Sequence, residues 1–166
     1  MAGRSLTDAR AWYAQLPTMY GSAGALITDT AGPSGRVLLV KPNYRDRWSI
    51  PGGIIEDGEA PHAGCSREVA EELGLPLPIG ALLVVDWTPP DGVRPKPIVH
   101  FIFDGGVLGE PGGIRLQEDE LDDWRFVSPG DMHRYLPSFL TARMTAALRA
   151  RSSGVPVYLP APEPRA

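Results

Sequence analysis

The stretch GIIEDGEAPHAGCSREVAEELGL, residues 53–75, decides how the rest of the chain is read. Its second half places Glu68, Glu71 and Glu72 within five positions, with no lysine among them. Pro61 suits the first turn of a helix, Gly74 suits its stop, and Val69 and Leu73 give it an apolar edge, so a helix is predicted over residues 61–73. On that helix the three glutamates stand at i, i+3 and i+4 and project from one side. Like charges at such spacings destabilise a helix by roughly 0.2–0.5 kcal/mol each. Something outside the run must offset that cost. Arg67 is one candidate and a bound cation is the other.

Around this segment the chain reads as short elements joined by turns, as its 19 glycines and 18 prolines require. Residues 5–15 read as a helix behind Ser5, with Leu6, Ala9 and Tyr13 at helical spacing. GALITDTAGPSGRVLLVKP, residues 24–42, reads as a hairpin of two strands, and residues 45–61 as a long loop broken by Pro51, Gly52, Gly53 and Gly58. GALLVVDW (80–87) and IVHFIFDG (98–105) read as buried strands, and DWRFVS (123–128) as a weaker one. A turn of helix is expected at 130–136 and a terminal helix at 138–151, with Phe139, Leu140, Met144 and Leu148 inward. Residues 152–166 read as a flexible tail. Strands mixed with helices imply one α/β layered domain over residues 1–151.

At 166 residues the chain is long enough to bury a core without staples. A net charge of -4 with scattered Lys and Arg argues against grip on a nucleic-acid polymer, which usually needs a basic patch. The single cysteine, Cys65, excludes an internal disulfide framework, fits a reducing compartment, and reads as a small packing residue. The N-terminal residues lack a signal-peptide core and the longest apolar run, residues 81–85, is too short to span a bilayer. A soluble cytoplasmic protein is the expectation.

Carboxylates on one helical face behind a Gly-rich loop are what a hard divalent cation needs. Mg²⁺ takes near-octahedral oxygen ligation and binds through a few carboxylates plus substrate phosphates. The wider spacing sharpens this reading. Gly53 is followed after five residues by Glu59, and after seven more by Arg67-Glu68-Val69, any residue, Glu71-Glu72, any residue, Gly74-Leu75. This fills every fixed position of the Nudix box, G-x5-E-x7-R-E-U-x-E-E-x-G-U with U aliphatic. The preceding GRVLLVKPNYRDRWSIPGG is similar to the family's strand, loop and Trp-x-x-Pro-Gly-Gly lead-in, and the resemblance covers about residues 20–136.

The resemblance implies an α/β/α sandwich around a mixed sheet and hydrolysis of a nucleoside diphosphate linked to another moiety, using Mg²⁺ or Mn²⁺. It implies that Glu68, Glu71 and Glu72 are carboxylate ligands, with the Gly53 carbonyl a further one, and that Glu59 pairs with Arg67 to fix the loop. Glu68 or Glu71 would act as general base. A further acidic ligand is expected on the loop before a late strand, where Glu118 or Glu120 could reach the metal. Arg47, like Arg45 and Arg94, could hold a phosphate, and Trp48, Trp87 and Tyr44 could stack on a base, although Trp48 also reads as a packing anchor for its loop. His62, His100 and His133 show no metal-binding spacing. The expected partner is a small nucleotide or nucleoside diphosphate derivative, with a homodimer possible. The alternatives are a catalytically silent Nudix domain, which would lose box carboxylates, and an isopentenyl diphosphate isomerase, which would need a catalytic cysteine off the helix. Pro89 and Pro90 fall near the position associated with ADP-ribose hydrolases of this family. A nucleoside triphosphate, an oxidised nucleotide or a biosynthetic intermediate stays open as substrate.

Overall fold

Side-chain alternation along two central strands builds the two halves of the core. The computed structural model describes residues 9–109 and 113–160. In chain order these form α1 (Ala9–Tyr13), β1 (Tyr20–Thr28), β2 (Val37–Pro42), β3 (Gly52–Ile54), α2 (Pro61–Leu73), β4 (Leu82–Thr88), β5 (Ile98–Val107), β6 (Leu121–Val127), a 3₁₀ turn (Pro129–Arg134), α3 (Ser138–Ser153) and β7 (Val157–Pro160). Ala23, Ala25 and Ile27 of β1 with Leu38 and Val40 of β2 pack against Cys65, Val69 and Leu73 of α2. Their neighbours Leu26, Val37 and Leu39 face the other way, onto Leu140, Met144 and Ala147 of α3. Period-two alternation buried on both sides makes a helix–sheet–helix sandwich, the expected α/β class.

The sheet runs β6-β2-β1-β5-β4-β7 with β3 added on β1. It is mixed: β1 lies parallel to β5 and antiparallel to β2 and β3. One edge of β1 is shared, Thr28 pairing with Val37 at one end while Ser22, Ala23 and Gly24 face Ile54, Gly53 and Gly52 at the other. The expected loop at 45–61 therefore contains a short strand, which exists because β1 offers a free ladder there. Asp29 closes the β1–β2 connection, accepting from Arg36 N at 2.7 Å and Arg36 Nε at 2.6 Å.

Three expectations need correction. Residues 152–166 do not form a tail throughout: α3 runs to Ser153, Gly154 ends it at φ 72°, and Val157–Pro160 forms β7 parallel to β4. The ladder capacity of the β4 edge outweighs the flanking prolines. Residues 161–166 lie outside the described residues. Within α3, Phe139 is exposed and Arg143 takes an inward place, paired with Asp86 of β4 and bonded to Thr88. Of the expected helix 5–15, residues 5–8 with Leu6 lie outside the described residues, and Ala9–Tyr13 buries no side chain. Among the described residues no helix is long and apolar enough to cross a membrane.

Removing one partner of a buried ion pair strands the other charge, which costs about 3–5 kcal/mol. Arg143→Met should lower unfolding stability by that order in urea melts, and adding Asp86→Asn should recover part of the loss. Equal stability of Arg143→Met and the parent would contradict the buried pairing.

Candidate active site

α2 begins and ends where its punctuation requires, Pro61 in the first turn and Gly74 in the left-handed conformation at φ 64°. Its carboxylates part company. Glu72 turns inward, only 7% exposed, while Glu71 points to solvent. Glu68 is half-buried between them. The Gly-rich loop closes over Glu72 and Glu68. Gly52 adopts φ 139°, which brings its backbone against Ala23 and Gly24 of β1 so closely that a Cβ would collide with both. In that position its N–H donates to Glu72 Oε2 at 2.8 Å. At Gly53 a Cβ would run into the Glu68 carboxylate. The glycine pair is thus needed for close approach of backbone to carboxylates.

Arg67 organises the remaining anions. Its Nε and Nη2 donate to the two oxygens of Glu59 at 3.0 and 3.1 Å, and Nη2 also donates to the Ile54 carbonyl at 3.1 Å. Nη1 donates to Glu68 at 3.0 Å and to Glu71 at 3.1 Å. Glu59 also accepts from Glu56 N at 3.0 Å, which closes its loop. The pairing with Arg67, then the Glu56 N–H, holds the Glu59 carboxyl below its ordinary range. The Arg67–Glu59 bond sits where the sequence places it, and Arg67 reaches two of the three helix glutamates as well.

Glu72 has no such partner, and among the described residues the only hydrogen bond to its carboxylate is from Gly52 N. Burial pushes its carboxyl up to about 8; the Gly52 N–H opposes this, Glu68 and Glu120 add to it, and Arg45 opposes it. Glu68 is raised too, first by burial, with Arg67 opposing and Glu71 and Glu120 adding. Both Glu118 and Glu120 are exposed on the turn before β6, and of the two it is Glu120 whose charge adds to the rise of Glu68 and Glu72. Two half- or fully buried carboxylates that repel each other, backbone at Gly53 with no side chain in the way, and a third carboxylate opposite are the hard-oxygen donors a small divalent ion takes. Among the described residues no three His, Cys, Asp or Glu side chains already close into a cage. Arg67 draws Glu68 and Glu71 to itself instead.

The expected recognition residues are not all brought together. Trp48 packs on the α3 side of the sheet, edge-on to Tyr135 at 5.8 Å with Arg125 over its ring at 4.4 Å. Asp86 faces α3 through Arg143, so its neighbour Trp87 faces the opposite side. The two tryptophans therefore share no stacking surface. Strand parity, invisible without the register, separates them. Arg47 is exposed, and Arg45 lies over Tyr44 at 5.3 Å. Arg94 is tied to its own loop through Pro89 O and Asp91. His62 is exposed, His133 bonds the Gly130 carbonyl, and His100 bonds Ser22 Oγ at 2.6 Å. Burial, then Arg143 and Arg94, push His100 down to about 3. Cys65 is buried against the sheet.

This loop–helix–loop on a two-faced mixed sheet is a Nudix site. The NUDIX domain model matches residues 20–148, so the chain belongs to the Nudix family and is a Nudix hydrolase, a class acting on pyrophosphate bonds. It is 26% identical over 114 residues, 69% of each chain, to a MutT-like protein of Streptomyces ambofaciens. It is 29% identical over 102 residues, 55% of this chain and 69% of the other, to the nucleoside triphosphatase NudI of Escherichia coli K12. The solved structure of a UDP-X diphosphatase superposes with TM-score 0.67 at 22% identity, covering 87% of this chain and 68% of that one, a likeness of fold.

A carboxyl raised from 4.5 to about 8 binds its proton more tightly in the folded chain than in the unfolded one. The metal-free fold is therefore favoured at and below the ordinary value and loses stability as pH rises through about 8. Thermal melting in chelator should show a midpoint that falls as pH rises from about 4.5 to about 8 and levels off above, a fall that Glu72→Gln removes in large part. An undiminished fall in that variant would assign the effect to another group.

Proposed function

We propose that this chain hydrolyses the pyrophosphate bond of a nucleoside triphosphate or a nucleoside diphosphate-linked compound with the help of Mg²⁺, for which Mn²⁺ can substitute. The observation that carries the reading is Glu72: a buried carboxylate that feels the charges of Glu68 and Glu120 and forms no ion pair among the described residues. Such a group calls for an external positive charge. Glu68, Glu72 and Glu120, with the Gly53 carbonyl, would hold the ion, and Glu71 stands ready at the solvent side. A divalent ion there supplies countercharge for the phosphate oxygens and lowers the pKa of bound water.

The chain's own residues do the rest. Glu68 or Glu71 accepts the proton of the attacking water. Arg67 keeps the helix and loop in register through Glu59 and Ile54 O. Arg45 and Arg47, exposed on the loop between β2 and β3, offer charge to the outer phosphates. Trp48 is committed to packing, which leaves base recognition to other groups. The similarity to a nucleoside triphosphatase supports a triphosphate, and the fold shared with a UDP-X diphosphatase leaves room for a diphosphate-linked sugar. The buried thiol fits a reducing cytoplasm, and the absence of a basic run fits a small-molecule substrate.

Glu72→Gln should reduce Mg²⁺-dependent turnover by about 10²-fold or more, the scale of losing one electrostatic contact to a transition state, while far-UV circular dichroism stays that of the parent. Near-parental turnover would overturn the ligand assignment. A panel of nucleoside triphosphates and diphosphate-linked sugars, with nucleotide and phosphate products separated, identifies the substrate and the phosphorus attacked.

A further inference from the structure

Glu120 is exposed on a turn whose main chain is tied to α2 at Glu72, and its charge reaches Glu68 and Glu72 from there. The segment 115–121 is a strap fastened at both ends. On one side it satisfies the last carbonyls of α2: Arg115 N donates to Leu73 O at 2.8 Å and Gln117 N to Glu72 O at 3.2 Å. The strap then folds on itself, Glu120 N and Leu121 N both donating to Gln117 O at 3.0 and 2.9 Å. On the other side it meets the loop after β2. Asn43 N donates to Glu120 O at 2.9 Å, and Asn43 Nδ2 donates to Asp119 O at 2.7 Å. The loop bearing Asn43 is itself closed by Lys41, whose Nζ donates to Pro42 O at 2.9 Å and to Arg45 O at 2.5 Å.

We infer that Asn43 is a positioning residue: its side chain clasps the strap to the cationic loop and so fixes Glu120 over Glu68 and Glu72. The inference rests on the reading of these carboxylates as a metal site and adds the residue that sets its geometry. Among the described residues the Asn43 side chain bonds the Asp119 carbonyl and no carboxylate. Its amide acts on a carbonyl neighbouring Glu120 and restricts where that carboxylate can go. A side chain that orients a ligand from behind typically governs metal affinity by about 10–100-fold. The clasp also joins two functions, because the loop that carries Asn43 carries Arg45, whose charge is felt by Glu72. A shift of the strap therefore moves the third carboxylate relative to the arginine loop.

The test is a double-mutant cycle read by Mn²⁺ binding to the substrate-free protein, with free ion followed by electron paramagnetic resonance. Asn43→Ala keeps the main-chain bond to Glu120, so its metal-free melting should match the parent, while Mn²⁺ binds about tenfold more weakly. In a Glu120→Gln background the same substitution should change affinity by less than about twofold, because two residues acting through one path are non-additive. Asn43→Asp, which loses the donor and sets an anion against the Asp119 carbonyl, should weaken binding at least as much as Asn43→Ala. Parental affinity in Asn43→Ala, or an equal loss in both backgrounds, overturns the clasp. Parental affinity in Glu120→Gln overturns it as well while leaving the box intact. Parental affinity in Glu72→Gln instead sinks the metal-site reading itself.

Discussion

The Arg67 guanidinium is the joint on which the site depends. One planar fork spans three carboxylates and a carbonyl that belong to two different elements: Ile54 and Glu59 on the loop, Glu68 and Glu71 on the helix. Without it, the helix would carry like charges at adjacent turns and the loop would lose its ion pair to the helix. A lysine has one point charge and no fork, so it could not satisfy the same set. The pairing with Glu59 raises the Arg67 guanidinium, and the pairing with Arg67 lowers Glu59, so each favours the charged form of the other. Of the three helix glutamates Glu72 alone is left outside this exchange, its carboxylate bonded to Gly52 N instead.

The sheet makes that joint possible by giving the loop a place to lie. β1 spends one end of its edge on β2 and the other on β3, so the glycines of the loop are part of the ladder. The position of Gly52 against β1 is therefore set by main-chain pairing, and the N–H offered to Glu72 comes with it. On the far side, α3 is fixed by polar contacts as well as by apolar packing. Arg143 meets Asp86, and Arg151 binds Thr28, Asp104 and the Leu26 carbonyl. The two helices thus serve separate purposes, one presenting chemistry and the other locking the sheet that supports it.

How much of this can be read from the residues depends on how local each feature is. The helix at 61–73 is legible to the residue, because Pro61 and Gly74 mark its ends and nothing distant contradicts them. The partnership of Arg67 and Glu59 follows from the resemblance to the Nudix box, and the two are bonded in the structure. What escapes is decided by pairing at a distance. β7 hides in a stretch flanked by prolines because its strand character comes from the open edge of β4. β3 hides among glycines because β1 calls it out. Trp48 reads as a packing anchor as well as a stacking candidate and Trp87 as a stacking candidate, yet their faces follow from register and from Arg143, neither of which leaves a local mark. Glu118 and Glu120 are equivalent as letters; only the turn they share, pinned between α2 and Asn43, separates them.

Cys65 shows a last consequence of the same packing. It lies beneath Val69 and against the sheet, and burial, together with Glu68 and Glu72 above it, pushes its thiol up to about 12. Only the thiolate reacts readily with electrophiles. The lone sulfhydryl should therefore stay silent toward alkylating reagents as long as the sandwich is closed, and become labelled when the helix leaves the sheet. Nature has left in the middle of the box a built-in reporter of opening, one that needs no added probe and whose labelling rate would register how tightly a bound ligand seals the core.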